Sequence, residues 1–179
     1  LSILTAYEMG VTDQEISERL PQYRPSALRG KRLLGRGRTY YLDCYNANPS
    51  SMLDSLNFFS REFADQPKMF VLGGMEELGE DERILHAQLG ASQKLGPRDL
   101  VLLIGEKARW MAEGYLDAGA QIDQLIPLQS IEDARPIVED FEGALLFKGS
   151  RANQLEQLIP TWAVDQLLEE DLVKCLSLI

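Results

Sequence analysis

The sequence predicts an α/β fold of the Rossmann-like, three-layer kind: a mostly parallel sheet covered by helices on both faces, with an antiparallel hairpin strand. Three observations lead there. Short apolar runs recur at 69–74 (MFVLGG), 100–105 (LVLLIG), 124–128 (QLIPL) and 144–150 (ALLFKGS). Segments of helical period separate them, and continuous apolar strands alternating with helices belong to a parallel sheet buried on both sides. Upstream, RLLGRGRTYYLDCY reads as two strands, roughly 31–35 and 38–44, around a Gly-Arg-Gly turn.

The elements follow in order. Residues 2–9 and 12–20 place Ile3, Leu4 and Tyr7, then Ile16 and Leu20, at helical spacing on either side of Gly10. Thr12 or Asp13, with Glu15 or Glu18 downstream, predicts a cap for the second piece, and Pro21 and Pro25 end it. Residues 50–63 gather Met52, Leu53, Leu56, Phe59 and Phe63 on one helical face. Residues 81–95 do so with Ile84, Leu85, Leu89 and Leu95, and 106–118 with Ala108, Trp110, Met111 and Leu116. The stretch 131–141 is a shorter, weaker helix. This organisation predicts a Rossmann-like domain at 29–160, a helical tail of a preceding domain at 1–28, and a helical extension at 161–179 with its helix near 164–176. The chain opens on Leu rather than Met, in an uncapped apolar helix, as a piece of a longer polypeptide would.

Composition excludes several classes of function. At 179 residues the chain can bury roughly 70 % of its unfolded surface, so it folds without disulfide or metal. The formal charge of −10 repels nucleic-acid phosphates and anionic lipid, which argues against a nucleic-acid partner while leaving room for a local basic cluster to hold one nucleotide. Cys44 and Cys175 lie far apart without CxxC spacing, which points to a reducing compartment. The apolar runs are far short of the ~20 residues that span a bilayer, and the start lacks the marks of a signal peptide. The expectation is a cytoplasmic protein without membrane insertion. The lone His86, four residues after Glu82, reads as a packed or capping histidine, and with no second His or Cys nearby no metal site is expected.

In open α/β sheets ligands bind beyond the carboxyl ends of the strands. Four loops stand there: 43–51 (DCYNANPSS), 73–81 (GGMEELGED), 105–108 (GEKA) and 148–154 (KGSRANQ). In the first, Asp43 at a strand end can accept from ribose hydroxyls or basic groups, and Asn46 and Asn48 each offer a donor and an acceptor. The same residues also make a capped strand-to-helix turn, with Asn48 or Ser50 as cap and Pro49 in the first turn. In the second, two glycines allow a close approach or a tight turn, and Glu76, Glu77, Glu80 and Asp81 can receive an amine or cation, or simply stabilise a helix N-terminus. In the last, Lys148 and Arg151 bracket Gly149-Ser150 at an expected helix start, an anion site in which Ser150 is otherwise only a cap. A basic cluster at Arg29, Lys31, Arg32, Arg36 and Arg38 either meets phosphates or solubilises the hairpin. The chain has neither G-x-x-x-x-G-K-[ST] nor G-x-G-x-x-G, so any triphosphate cradle lies elsewhere.

Together LRG (28–30), DCYNANPSSM (43–52), VLGGMEELGE (71–80) with His86 after it, and LLFKGSRANQLE (145–156) resemble the C-terminal domain of Mur ligases, in the branch that extends a UDP-MurNAc-tripeptide. The resemblance covers about residues 1–160, and the DxYNANPxSM string is its most specific part. It implies an ATP-dependent ligase of peptidoglycan precursor synthesis in which ATP activates the tripeptide carboxylate as an acyl phosphate and D-Ala-D-Ala attacks it. ATP and Mg²⁺ would be held mainly by a central domain that this chain does not contain, so the chain alone is expected to fold without catalysing, and no catalytic residue is assigned within it. Carried over position by position, Arg29, Asp43 and Asn46 would bind ATP, with Arg32 an alternative alignment for Arg29. Tyr45, Asn48, Gly74, Glu77, Lys148, Ser150 and Arg151 would meet substrate. Cys44 stands where many relatives carry Ser and is expected to pack rather than react. Sister ligases that add a single amino acid or extend folylpolyglutamate, and a non-catalytic ligand-binding module, are the alternatives.

Overall fold

The computed structural model describes residues 2–22 and 28–164. Strand β1 (Lys31–Gly35) turns through Arg36 and Gly37, both at positive φ (52° and 73°), into β2 (Arg38–Asp43). Two successive left-handed residues give the turn whose twist suits a two-residue hairpin. Helix α3 (Pro49–Glu62) leads to β3 (Lys68–Gly73), α4 (Glu82–Ala91) to β4 (Leu100–Ile104), α5 (Glu106–Asp117) to β5 (Leu125–Leu128), and α6 (Ile131–Asp140) to β6 (Ala144–Lys148). The sheet order is β1-β2-β6-β3-β4-β5, with β1 antiparallel to β2 and every other pair parallel.

Every residue of β3 and β6 is buried, as the sequence pattern requires of strands covered on both faces. Their side chains alternate between two cores. Met69, Val71, Leu145 and Phe147 pack with Ala134 and Val138 of α6 and with Leu155 and Leu158. Phe70, Leu72 and Leu146 pack with Met52, Leu56 and Phe59 of α3, Leu89 of α4 and Met111 of α5. The connections from β2, β3 and β4 therefore leave to one face of the sheet and those from β5 and β6 to the other. Central β6 has neighbours on both sides whose chains depart the opposite way, the arrangement that opens a crevice at the carboxyl ends.

Two expectations need adjusting, and a third is untested. Helix α4 stops at Ala91, four residues before the expected end, because Ser92 closes it through its N–H and Oγ, and Leu95 packs from the loop instead. Directly after Ser150 the chain enters 3-10 turns rather than the expected α-helix. Two 3-10 turns, Arg151–Asn153 and Leu155–Leu158, are broken apart by Gln154 in the left-handed region (φ 49°). A single short turn carries little dipole, so the anion site expected there lacks that contribution. The helix expected near 164–176 lies outside the described residues, of which α7 (Thr161–Val164) is the last element.

Helices α1 (Ser2–Glu8) and α2 (Asp13–Arg19) lie outside both cores. Thr12 caps α2 in a reciprocal box, its Oγ accepting from Glu15 N–H at 3.3 Å while Glu15 accepts from Thr12 N–H at 3.0 Å. Among the described residues no helix is long and apolar enough to cross a membrane.

Helices α4 and α5 touch backbone to backbone. A Cβ on Gly114 would stand 1.8 Å from the Ala87 carbonyl oxygen, and one on Gly90 would stand 2.1 Å from that of Met111. Gly114→Ala is therefore expected to force the helices apart at a cost of about 1–3 kcal/mol. Thermal denaturation checks this, at roughly 2–4 °C of Tm per kcal/mol for a chain of this size; an unchanged Tm contradicts the contact.

Candidate functional site

The three polar loops follow β2, β6 and β3, which are neighbours in the sheet, so they form one continuous rim. Because β1 runs antiparallel, its start also lies at this end, with Lys31 opposite Leu42. Arg29 is thereby brought to the rim, and its guanidinium stacks 4.1 Å above the ring of Tyr45. Arg32 instead pairs with Glu62 at 3.3 Å and lies over Phe63, near the far end of α3. The geometry thus favours Arg29 over Arg32 as the rim cation.

Asp43 and Lys148 are the last residues of β2 and β6 and are partners in the parallel register. Lys148 is 1 % exposed. Its Nζ donates to the carbonyl of Asn46 at 2.6 Å and lies 3.2 Å from Asp43 Oδ2. The hydroxyl of Ser55, on α3, donates to the same Oδ2 at 2.5 Å. All the contacts converge on one oxygen, and among the described residues no hydrogen bond reaches Oδ1. With 23 % of its side chain exposed, Asp43 is a carboxylate fixed from beneath. Above it the loop is set by local bonds: Asn46 Oδ1 accepts from Ala47 N–H at 2.9 Å, and Asn48 caps α3 by accepting from Ser51 N–H at 2.8 Å, with Pro49 in the first turn. Asn46 and Asn48 are exposed and Tyr45 is half-buried.

The loops after β3 and β6 are laced to each other. Gly74 N–H donates to Asn153 Oδ1 at 3.2 Å, Asn153 Nδ2 donates to Gly74 O at 3.0 Å, and Ser150 N–H reaches the same carbonyl at 3.0 Å. The glycines serve this approach: a Cβ on Gly73 would stand 2.4 Å from Asn153 Cγ, and one on Gly149 would stand 2.9 Å from Gly73 Cα. Gly74 and Ser150 are buried, and Ser150 Oγ accepts from Ala152 N–H. Arg151 is ion-paired with Glu156. The acidic loop does receive a cation, but an internal one: Lys107 of α5 lies 2.5 Å from Glu76 and 3.1 Å from Glu82. Glu77 is exposed and held at φ 61°, a conformation rare for a non-glycine residue.

Cys44 is buried in the core, and burial, with Glu156 and Asp43 adding to it, pushes its thiol well above the ordinary range. A thiol without accessible thiolate is inert, as expected of a packing residue. His86 is fully buried, its Nε2 accepting from Met75 N–H at 2.9 Å and its Nδ1 facing the Glu82 carbonyl at 2.6 Å.

The rim thus brings together Arg29, Asp43, Tyr45, Asn46 and Asn48 on one side and Gly74, Glu77, Ser150 and Arg151 on the other, with Lys148 beneath both. Sequence reasoning missed Ser55, Asn153, Lys107 and the latch made by His86. Ser51 and Ser55, four apart on one helix, faintly indicate a polar face toward the strand ends; Asn153, three residues after Ser150, offers no local mark.

The Mur ligase, glutamate ligase domain family matches residues 29–151, and the chain belongs to it. It is 31 % identical, over 163 residues, to the UDP-N-acetylmuramoyl-tripeptide–D-alanyl-D-alanine ligase of Treponema pallidum, covering 88 % of this chain and 34 % of that protein. The chain thus spans about a third of the length of that relative. A solved structure of MurF from Acinetobacter baumannii superposes with a TM-score of 0.72 at 26 % identity, over 87 % of this chain and 34 % of that one. The MurF ligase from Thermotoga maritima, solved in complex with ADP, shares the fold with a TM-score of 0.67 at 23 % identity, over 97 % of this chain and 37 % of its own.

Asn153→Ala removes two hydrogen bonds from Gly74 and strands a buried N–H. It is expected to lower stability by about 1–3 kcal/mol and to speed amide exchange of Gly74 while leaving β1 and β2 unchanged. Exchange read by NMR checks this, and unaltered protection of Gly74 would mean the lacing carries no load.

Proposed function

We propose that this chain is the C-terminal third of an ATP-dependent ligase that joins D-alanyl-D-alanine to UDP-MurNAc-tripeptide in cytoplasmic peptidoglycan precursor synthesis. The observation that carries the reading is Asp43, anchored through Oδ2 with no hydrogen bond to Oδ1 from any described residue, beside Arg29 stacked on Tyr45. A carboxylate held this way suits a ribose hydroxyl, and an exposed guanidinium suits a nucleotide's negative charge. Asn46 would complete the nucleotide side. Asp43 and Asn46 fit the nucleoside end of ATP and Arg29 fits the edge of its phosphates; the triphosphate cradle and Mg²⁺ fall to the rest of the ligase, since no phosphate loop occurs here. ATP, when bound, supplies the phosphoryl group that activates the carboxylate acceptor.

The dipeptide would lie on the other side of the rim. Glu77, exposed like Glu80 and Asp81 but nearest in the chain to the Gly73-Gly74 turn, would take the ammonium of D-Ala-D-Ala, while Glu76 is already committed to Lys107. Arg151 would exchange part of its pairing with Glu156 for the dipeptide carboxylate, beside Ser150, and Gly74 would set the loop's path. Tyr45 and Asn48 would line the cleft between the two ligands. Lys148 is too deeply buried to meet a carboxylate in the cleft, so its part is to hold Asp43 and the Asn46 carbonyl in position. What these residues contribute is placement, which can supply several kcal/mol of a two-substrate barrier. Helices α1 and α2, outside the cores and exposing Leu4, Tyr7 and Met9, read as the tail of the preceding ATP-handling domain.

The test is ATP-dependent phosphate release by the full-length ligase, given UDP-MurNAc-tripeptide and a panel of amine acceptors. Release with D-Ala-D-Ala alone is expected. Asp43→Ala is expected to lower kcat/KM for ATP by about 10–100-fold, the worth of one charge-assisted hydrogen bond. Release with single amino acids would move the chain to a sister ligase, and an Asp43→Ala enzyme of unchanged kcat/KM would end the nucleotide role of this residue.

A further inference from the structure

His86 is the only histidine in the chain, and the function proposed above gives it no chemistry. Yet both of its ring nitrogens are committed. A backbone N–H can only donate, so Nε2, which receives Met75 N–H, carries no proton; a carbonyl can only accept, so Nδ1, which faces Glu82 O, must carry one. The ring is thereby fixed as the neutral Nδ1–H tautomer, edge-on to Trp110 at 5.6 Å between centroids. A histidine that merely filled space would need no acceptor at Nε2. The loop is consequently pinned at consecutive residues from opposite directions: Gly74 by Asn153, on the β6 side, and Met75 by His86, on α4. Glu77, at its positive φ, is two residues further on.

We propose that His86 is a positioning residue: the neutral ring holds the loop at 73–77 and so sets where Glu77 presents its carboxylate, and protonation of the ring releases it. The assignment rests on reading Glu77 as the amine-binding group.

An imidazolium has N–H on both nitrogens and would confront Met75 N–H donor to donor, turning the latch into a repulsion. The charged groups around the ring are Glu82 on its own helix, Glu76 in the loop and Lys107 on α5. Burial acts most strongly and disfavours the charged ring; the hydrogen bond to the Glu82 carbonyl and the two carboxylates favour it and Lys107 opposes it, and burial prevails, holding the ring below its ordinary range. Protons are then taken up more readily by the released or unfolded form than by the latched one. The latch contributes fully above about pH 6.5 and is lost as pH falls from there toward the lowered native value.

The single imidazole makes the test direct. In ¹⁵N NMR of the chain at pH 7.5 the Nδ1–H tautomer is expected. Amide exchange of Met75 should be about ten-fold faster in His86→Leu than in the unaltered protein, and His86→Gln, which offers one acceptor and one donor, should restore most of the protection. In the unaltered protein, protection of Met75 should disappear at the pH where the ring titrates, while the amides of Phe70 and Leu102 hold. In the full-length ligase, His86→Leu should raise KM for the amine substrate about five-fold with kcat within about two-fold. An Nε2–H tautomer, equal protection of Met75 in both proteins, or uniform loss of protection across β3 and β4 would overturn the latch. Loss of Met75 protection with KM unmoved would remove the positioning role. A ligase indifferent to D-Ala-D-Ala would sink the substrate reading while leaving the exchange result intact.

Discussion

A lysine ammonium shut inside the sheet, at the junction of β2 and β6, is the constraint on which the rest of the rim depends. Burying an ion costs several kcal/mol even after relaxation, so Lys148 persists only because Asp43 and the Asn46 carbonyl meet it with short contacts. Those two partners are what it positions. The carboxylate is drawn down through Oδ2, and the loop from Tyr45 to Asn48 is folded back over the strand ends. A hydrophobic residue at 148 would fill the space and leave both partners without a reason to hold their places.

From β6 the constraint passes outward. Gly149 lets the chain pass against Gly73, Ser150 and Asn153 take both polar groups of Gly74, His86 takes Met75, and Lys107 draws Glu76 toward Glu82. Each loop is therefore fixed by an element far away in the chain, and the cleft walls are set before any ligand arrives. In the proposed ligase such preorganisation is what a site with little chemistry of its own would contribute to a two-substrate reaction. Most charges at the rim also meet an internal counter-charge, Lys148 with Asp43, Arg151 with Glu156 and Lys107 with Glu76 and Glu82. On the proposed reading, a charged ligand would be recognised by sharing or exchanging partners as well as by direct contact with Arg29 and Glu77.

Features that repeat locally were legible in the sequence. The apolar runs and the hairpin string placed all six strands to within one or two residues. The helical phase of Met52, Leu56, Phe59 and Phe63 gave the buried face of α3 while Leu53, assigned to the same face, is exposed, and Asn48-Pro49 marked its start. The rim itself was legible because strand ends and loop composition coincide. What stayed hidden are bonds between distant residues. Asn153 and Gly74 are 79 residues apart, Lys148 and Asn46 are 102, and nothing in either local pattern announces the other. The same limit explains Lys148. Its neighbours in sequence suggested a cation facing an anionic ligand, whereas the parallel register set it against Asp43 and buried it. The left-handed Gln154, which replaces the expected helix by two tight turns, has no glycine to betray it.

The most direct test of this account is a double-mutant cycle on Asp43→Asn and Lys148→Met, with stability read from urea denaturation of the chain. Lys148→Met is expected to cost about 2–4 kcal/mol, at the low end of a broken buried pair because Asp43 keeps Ser55 and some solvent. The double variant should recover at least about 1 kcal/mol of the summed single losses, since each single change strands a charge that the double change removes. Strictly additive losses would show that the two residues do not depend on one another, and the pair would no longer be the point from which the rim is organised.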